Sequence, residues 1–156
     1  NVIEEALQNI LNFRKDEGES LEKEFQLRIG NIRQFMNEAL ALDPERVQAI
    51  KDRLQTAIAE LQVNVDENRF EQELIYYLEK LDITEEKVRL TNHLDYFLDT
   101  IKGTEANGRK LGFITQEMGR EINTMGSKSN HAQMQKLVVQ MKDELEKIKE
   151  QVLNVL

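Results

Sequence analysis

GRKLGFITQEMGREINTMGSKSN, residues Gly108–Asn130, decides how this chain is to be read. Leu111, Ile114, Met118, Ile122 and Met125 recur at spacings of three and four, which predicts a helix from about Arg109 to Met125 with one apolar side. The other side is chemically crowded. Between Gly108 and Lys136 stand five basic residues (Arg109, Lys110, Arg120, Lys128, Lys136) against two acids, Glu117 and Glu121. The whole chain carries a formal charge of −8. A local reversal of sign in an acidic chain points to an anionic partner or an ion-pair network.

Working outward, helical periodicity accounts for nearly all of the 156 residues. Downstream, Asn130 with Gln133 has the spacing of a capping box, and Met134, Val138, Met141, Leu145, Ile148, Val152 and Val155 give a near-heptad stripe. Upstream, Thr84 is the expected cap of a fourth helix, with Ile83 and Val88 as its hydrophobic staple and Leu90, Leu94, Phe97 and Ile101 facing inward. Asp66 caps a third, whose inward residues are Phe70, Leu74, Tyr77 and Leu81. Asp43-Pro44-Glu45 reads as a helix start: an N-cap, a proline in the first turn and an acid at the positive dipole end. Val47, Ile50, Leu54, Ile58 and Leu61 follow as a narrow stripe. A first long segment runs from Val2 to Leu40, with a bend or irregularity expected over Arg14–Ser20. The expected architecture is all-α: about six helices in long hairpins with coiled-coil-like packing, divided into a hairpin arm, 1–65, and a helical domain, 66–156.

Composition agrees. Charged residues make up 32% and aromatics 6%, with one Pro and no Cys, which disfavours a sheet-rich fold and excludes disulfides and thiolate metal sites. No apolar run approaches the roughly 18 residues of a membrane span, and no signal peptide is present. A soluble, cytoplasmic protein without a membrane partner is expected. The chain begins at Asn1 without an initiator Met, as a fragment or a processed product would.

Three helices carry polar rows. Arg69, Gln72 and Glu73 lie on the third; Glu86, Arg89 and His93 stack at spacings of three and four on the fourth; Glu117, Arg120 and Glu121 do so on the fifth. Glu117 and Glu121 can share a divalent cation, since Mg²⁺ and Mn²⁺ prefer oxygen ligands; an ordinary ion-pair row with Arg120 is the plainer reading. His93 suits acid/base work or metal ligation because imidazole titrates near neutrality, and otherwise is a structural boundary residue. His131, at a helix start, is expected in solvent. Gly126–Asn130 precedes a helix N-terminus, where amides, hydroxyls and Lys128 suit a phosphate, or simply form a capped turn. HExxH, ExxH and GxSxG motifs are absent. Gly103–Lys110, GTEANGRK, lacks the spacing and context of a phosphate-binding loop.

Together with GRKLGFITQEMGREINTMGSKS, the blocks ENRFEQEL (Glu67–Leu74), DITEEKVRLTNHL (Asp82–Leu94), EKIKEQVLNVL at the end and Arg14–Leu21 near the start resemble the YicC-like bacterial proteins over essentially the whole chain. The resemblance implies the C-terminal part of a stress-associated endoribonuclease, without the family's N-terminal domain. It implies a divalent metal, Mn or Mg, and a ring-like homo-oligomer, a hexamer, around RNA. It places family polar positions at Glu73, Glu86, Arg89, His93, Gln116, Glu117, Arg120, Glu121, Asn123, Thr124, Ser127 and Lys128. Two positions depart from the pattern: Gly112 stands where an acid is usual, and Gly119 where Asn is usual.

The expectation that follows assigns Glu117 and Glu121, helped by Glu73 or Glu86, to the metal, and His93, Glu117 and Glu121 to catalysis. Arg89, Arg109, Lys110, Arg120, Ser127 and Lys128 are assigned to RNA phosphates. With no aromatic row for base stacking, backbone and shape recognition is expected. Two other functions fit the same residues. One is an oligomerisation scaffold whose polar rows are interhelical ion pairs; the other is a non-catalytic RNA-binding adaptor.

Overall fold

In the computed structural model, residues 1–61, 64, 66–103 and 107–155 are described. They form six helices and, among them, no strand: α1 Val2–Ala41, α2 Asp43–Glu60, α3 Glu67–Lys80, α4 Thr84–Ile101, α5 Gly108–Lys128 and α6 Ala132–Val152. The division expected at 65/66 falls on Val65, and the centre of GTEANGRK on 104–106; both lie outside the described residues.

Four helices close a ring around one core: α1 packs on α6 and α4, and α5 packs on α4 and α6. Each contributes the side that its periodicity marks. Phe25, Ile29, Ile32 and Met36 of α1 meet Leu90, Leu94 and Phe97 of α4, Leu111, Met118, Ile122 and Met125 of α5, and Met134, Met141, Leu145 and Ile148 of α6. Phe25 and Phe97 meet edge to face, their centroids 5.1 Å apart, a geometry that suits the aromatic quadrupole. At Gly126 the α5 backbone approaches α6 so closely that an added Cβ would lie 3.0 Å from the Cγ1 of Val138.

A polar tie crosses the α1–α6 seam. Buried Glu144 accepts from Arg28 and Asn31, each at 3.2 Å, and Lys147 stands 3.5 Å from its other oxygen. Hydrogen bonding to Glu24 and then to Glu144 holds the Arg28 guanidinium pKa above its ordinary value, against the opposing effect of burial. Lys147 is likewise raised, chiefly by its hydrogen bond to Asp143 and then by the charge of Glu144.

The other elements stand away from the core. Helical hydrogen bonding in α1 continues through Arg14–Ser20, and all of residues 1–20 are exposed. Helices α2 and α3 run out and back. Leu54 and Ile58 face Phe70, Leu74 and Tyr77 across a small apolar cleft, but α3 buries no residue fully.

Several helix ends differ from expectation. Leu42, in helical backbone, precedes α2 without a side-chain cap, because Asp43 is drawn to the Arg46 guanidinium at 2.6 Å. Ile83, not Thr84, holds the cap position of α4 and has no side-chain cap bond; Asp82 before it accepts from the Thr84 amide and hydroxyl. Val88 is exposed, so no staple with buried Ile83 forms. Helix α5 runs on through Gly126 to Lys128. His131, not Asn130, caps α6, its Nδ1 accepting from the Met134 amide; the side chain is partly buried where solvent was expected. Gln135 takes up the Gly126 and Ser129 carbonyls at the turn.

Candidate nucleic-acid interface on helices α4 and α5

Helices α4 and α5 pack antiparallel, the start of one beside the end of the other. Glu86, Arg89, His93 and Tyr96 recur at three, four and three residues along α4, so they form one row flanking the contact. Three of the four meet α5. Lys128 Nζ lies 2.9 Å from the Glu86 Oε1, Arg89 lies 3.9 Å from the Glu121 Oε2, and Lys110 Nζ lies 4.9 Å from the Tyr96 ring centre. His93 sits between, partly buried, one turn from Arg89 and from core Phe97.

The first rung is internal. Glu86 is 3% exposed, and its carboxylate receives the Lys128 ammonium, which also donates to the Asp82 carbonyl. Lys128 is therefore turned into the fold. The other oxygen of Glu86, Oε2, is buried without a hydrogen-bond partner, an expensive state for a charged acceptor. The backbone of Lys128 meets a residue that the periodicity did not single out. Arg46, 2% exposed, donates to the Leu81 carbonyl at 2.7 Å and to the Lys128 carbonyl at 2.8 Å, and pairs with Asp43. Those carbonyls end α3 and α5, where backbone acceptors lack helical partners and the dipole is negative. Arg46 thus fastens the α2–α3 hairpin to the bundle. Its sequence signal was slight: an Arg three residues after Asp43 and four before buried Ile50.

The second rung is half open. Glu121 is nearly buried, while Arg89 is shared between it and Glu85 at 2.7 Å. The 3.9 Å separation is too long for a direct hydrogen bond but close enough for charge attraction. Glu117, one turn earlier, is about half exposed and pairs with the outward Arg120 at 3.3 Å.

The expected site residues are thus gathered unequally. Glu86, Arg89, His93, Glu117, Glu121 and Lys128 lie along one seam. Arg109, Arg120 and Ser127 lie on the outer side of α5, exposed, with the Ser127 hydroxyl donating to the Thr124 carbonyl. Glu73 is elsewhere, exposed on α3 beside Arg69 at the α2–α3 cleft. Gly112 faces open space, so the acid usual in the family would be accommodated; at Gly119 a side chain would stand 3.4 Å from Leu145 of α6. An open cavity of about 980 Å³ lies at the other end of the bundle from Glu86 and Lys128, lined by Arg14, Glu17, Leu21, Thr100, Leu111 and Val155, and none of the expected residues lines it.

As to a metal, no three His, Asp or Glu side chains converge among the described residues. An all-protein cage is therefore not formed by them. Glu117 and Glu121 fit the other kind of site, in which one or two carboxylates hold Mg²⁺ or Mn²⁺ and substrate phosphates and water complete the shell.

A family model described as endoribonuclease YicC-like, C-terminal, matches residues 39–156. The probable endoribonuclease YicC of Clostridioides difficile strain 630 is 37% identical over 156 residues, covering 98% of this chain and 53% of that protein. The corresponding protein of Haemophilus influenzae is 33% identical over 152 residues, covering 97% and 53%. The chain spans about half the length of these curated relatives.

Proposed function

The chain belongs to the YicC-like family, in the family's C-terminal region, and on that premise we propose that it binds RNA and takes part in cutting its phosphodiester bonds. The observation that carries the reading is the α4–α5 seam: the Arg89–Glu121 contact at 3.9 Å joins a buried acid to an exposed basic residue, beside His93 and Glu117. Both relatives are named probable endoribonucleases, and a nuclease needs this mixture of groups. Cations hold the phosphate, a titratable group moves a proton, and carboxylates accept a proton or hold a metal.

In this proposal Arg89, Arg109, Lys110 and Arg120 face the backbone phosphates. His93 donates or accepts the proton at the scissile oxygens. Glu117 and Glu121 are the pair that would hold Mn²⁺ or Mg²⁺, which when bound supplies an activated water and stabilises the departing oxygen. Glu86 and Lys128 act from behind, fixing the end of α5 against the start of α4. Assembly into a ring-like homo-oligomer, hexameric by the family resemblance, belongs to the same proposal. It is supported by the exposed apolar side chains Val2, Ile3, Leu7, Ile10, Leu11 and Phe13 on α1, an area that a soluble surface rarely leaves uncovered.

The test is cleavage of a structured RNA by this chain with Mn²⁺ and with EDTA. Glu117→Ala, half exposed and outside the core, should abolish the metal-dependent cut and leave the thermal transition in place. Normal cutting by that variant overturns the metal assignment. Salt-sensitive binding without cutting at any metal concentration makes the chain an RNA-binding adaptor.

A further inference from the structure

The outer side of α5 carries Arg109, Phe113, Gln116, Arg120, Asn123 and Ser127 at spacings of four, three, four, three and four, and every one of them is exposed. That spacing makes a single stripe along the helix, about 27 Å long at 1.5 Å per residue. In a chain of net charge −8 it holds two arginines, two amides, one hydroxyl and no carboxylate. It also holds a phenylalanine that no packing explains. Phe113 is 57% exposed, and the Arg109 guanidinium stands over it, 5.9 Å from the ring centre. Lys110, three residues before Phe113, stands over a second exposed ring, Tyr96 of α4, at 4.9 Å. Two open aromatic faces, each accompanied by a basic side chain, therefore sit at the same end of the α4–α5 pair.

An aromatic ring beside a cation suits a nucleotide as a unit. The ring stacks on the base, whatever its identity, and the cation meets the phosphate next to it. Such a pair can act only on a base that is out of a duplex, since paired bases are already stacked on both faces. The amides of Gln116 and Asn123, further along, can both donate to and accept from the edges of an unpaired base. No such contribution is available from the phosphate-facing residues already named.

We propose that Phe113 and Tyr96 are stacking platforms for unpaired nucleotides, so that the α5 stripe selects loops, bulges or single strands of RNA over uniform duplex. The proposal rests on the RNA reading above and adds to it the residues that choose among RNAs. In the bound state Arg109 and Lys110 leave the ring faces free for bases and turn to the flanking phosphates.

The test compares the affinity of this chain for an RNA hairpin with an unpaired loop and for a blunt duplex of equal charge, at two salt concentrations. Phe113→Ala should weaken loop binding about tenfold and leave duplex binding unchanged. Phe113→Tyr should bind as the parent does, and 5-iodouridine in the loop should photo-cross-link to Phe113 or Tyr96. If the parent binds the loop RNA in a salt-sensitive way and Phe113→Ala binds it equally well, stacking is overturned and the RNA reading stands. If the parent binds neither RNA, both readings fall together. If Phe113→Ala lowers the mass of the particle, and loop and duplex affinity decline in step with it, the ring is covered by a second copy of the chain and the proposal is wrong.

Discussion

Lys128→Met would leave the Glu86 carboxylate buried without its cation. Breaking a buried pair from one side costs far more than the pair contributes when intact, so a loss of about 3 kcal/mol is expected in a urea melt. Glu86→Leu in the same chain should recover most of that loss, because a buried pair replaced by apolar side chains is close to neutral. A double variant as unstable as the single one would mean that Lys128 acts through the Asp82 carbonyl alone. Lys147 makes a smaller prediction with a definite sign. Its pKa is raised in the fold, chiefly by its hydrogen bond to Asp143 and by the charge of Glu144. That contribution is therefore complete below the ordinary lysine range and is lost as pH rises through the folded value. Lys147→Met should therefore lower the neutral plateau of the stability–pH profile and flatten its alkaline limb, because the contribution it removes is the one present below the lysine range.

At the scale of the element, two glycines within helices test how closely the helices approach. Gly30, exposed in α1, has nothing within 4 Å of an added Cβ, whereas the same atom at Gly126 meets Val138 at 3.0 Å. Gly30→Ala should raise stability by about 0.5–1 kcal/mol, the helix-propensity difference. At Gly126 the same gain is opposed by overpacking of about 1–3 kcal/mol, because buried Val138 is β-branched and stiff. Gly126→Ala is expected to lower the melting temperature. Amide exchange should divide α1 in the same way: fast through residues 2–20, which bury nothing, and slow from Phe25 to Ala39, which share the core. Uniform protection along α1 would mean that its first half is covered in solution.

For the whole molecule, covering that half of α1 is the question of assembly. If copies associate through Val2, Leu7, Ile10 and Phe13, then Leu7→Ser with Ile10→Ser should lower the particle mass in sedimentation and leave the four-helix core intact. An unchanged mass would direct the search for an interface elsewhere. The charge reversal on α5 also acts at this scale. RNA binding should weaken steeply with salt, and Arg120→Gln should reduce that slope by about one without favouring any sequence.

The sequence by itself determined which residues form helices and, for α4, α5, α6 and the second half of α1, which side is buried; the stripes of α3 and of the start of α1 are not buried. The stripes of α4, α5 and α6 emerged nearly residue for residue, because apolar periodicity is written locally and burial follows it. It also located the polar rows, since residues three and four apart must share a face. Only the tertiary structure decided what those rows touch. That Glu86 meets Lys128 from 42 residues away, and Glu144 meets Arg28 from 116, depends on how four helices close into a ring, and no local pattern records it. The helix ends shifted for the same reason. Asp43 was taken by buried Arg46, and Arg46 by the carbonyls that end α3 and α5, because a buried charge binds the nearest unpaired partners, whichever part of the chain supplies them. Phe113 and Tyr96 were visible as letters and unremarkable as a pattern; they became a candidate surface only when α4 and α5 set them at one end with a cation beside each.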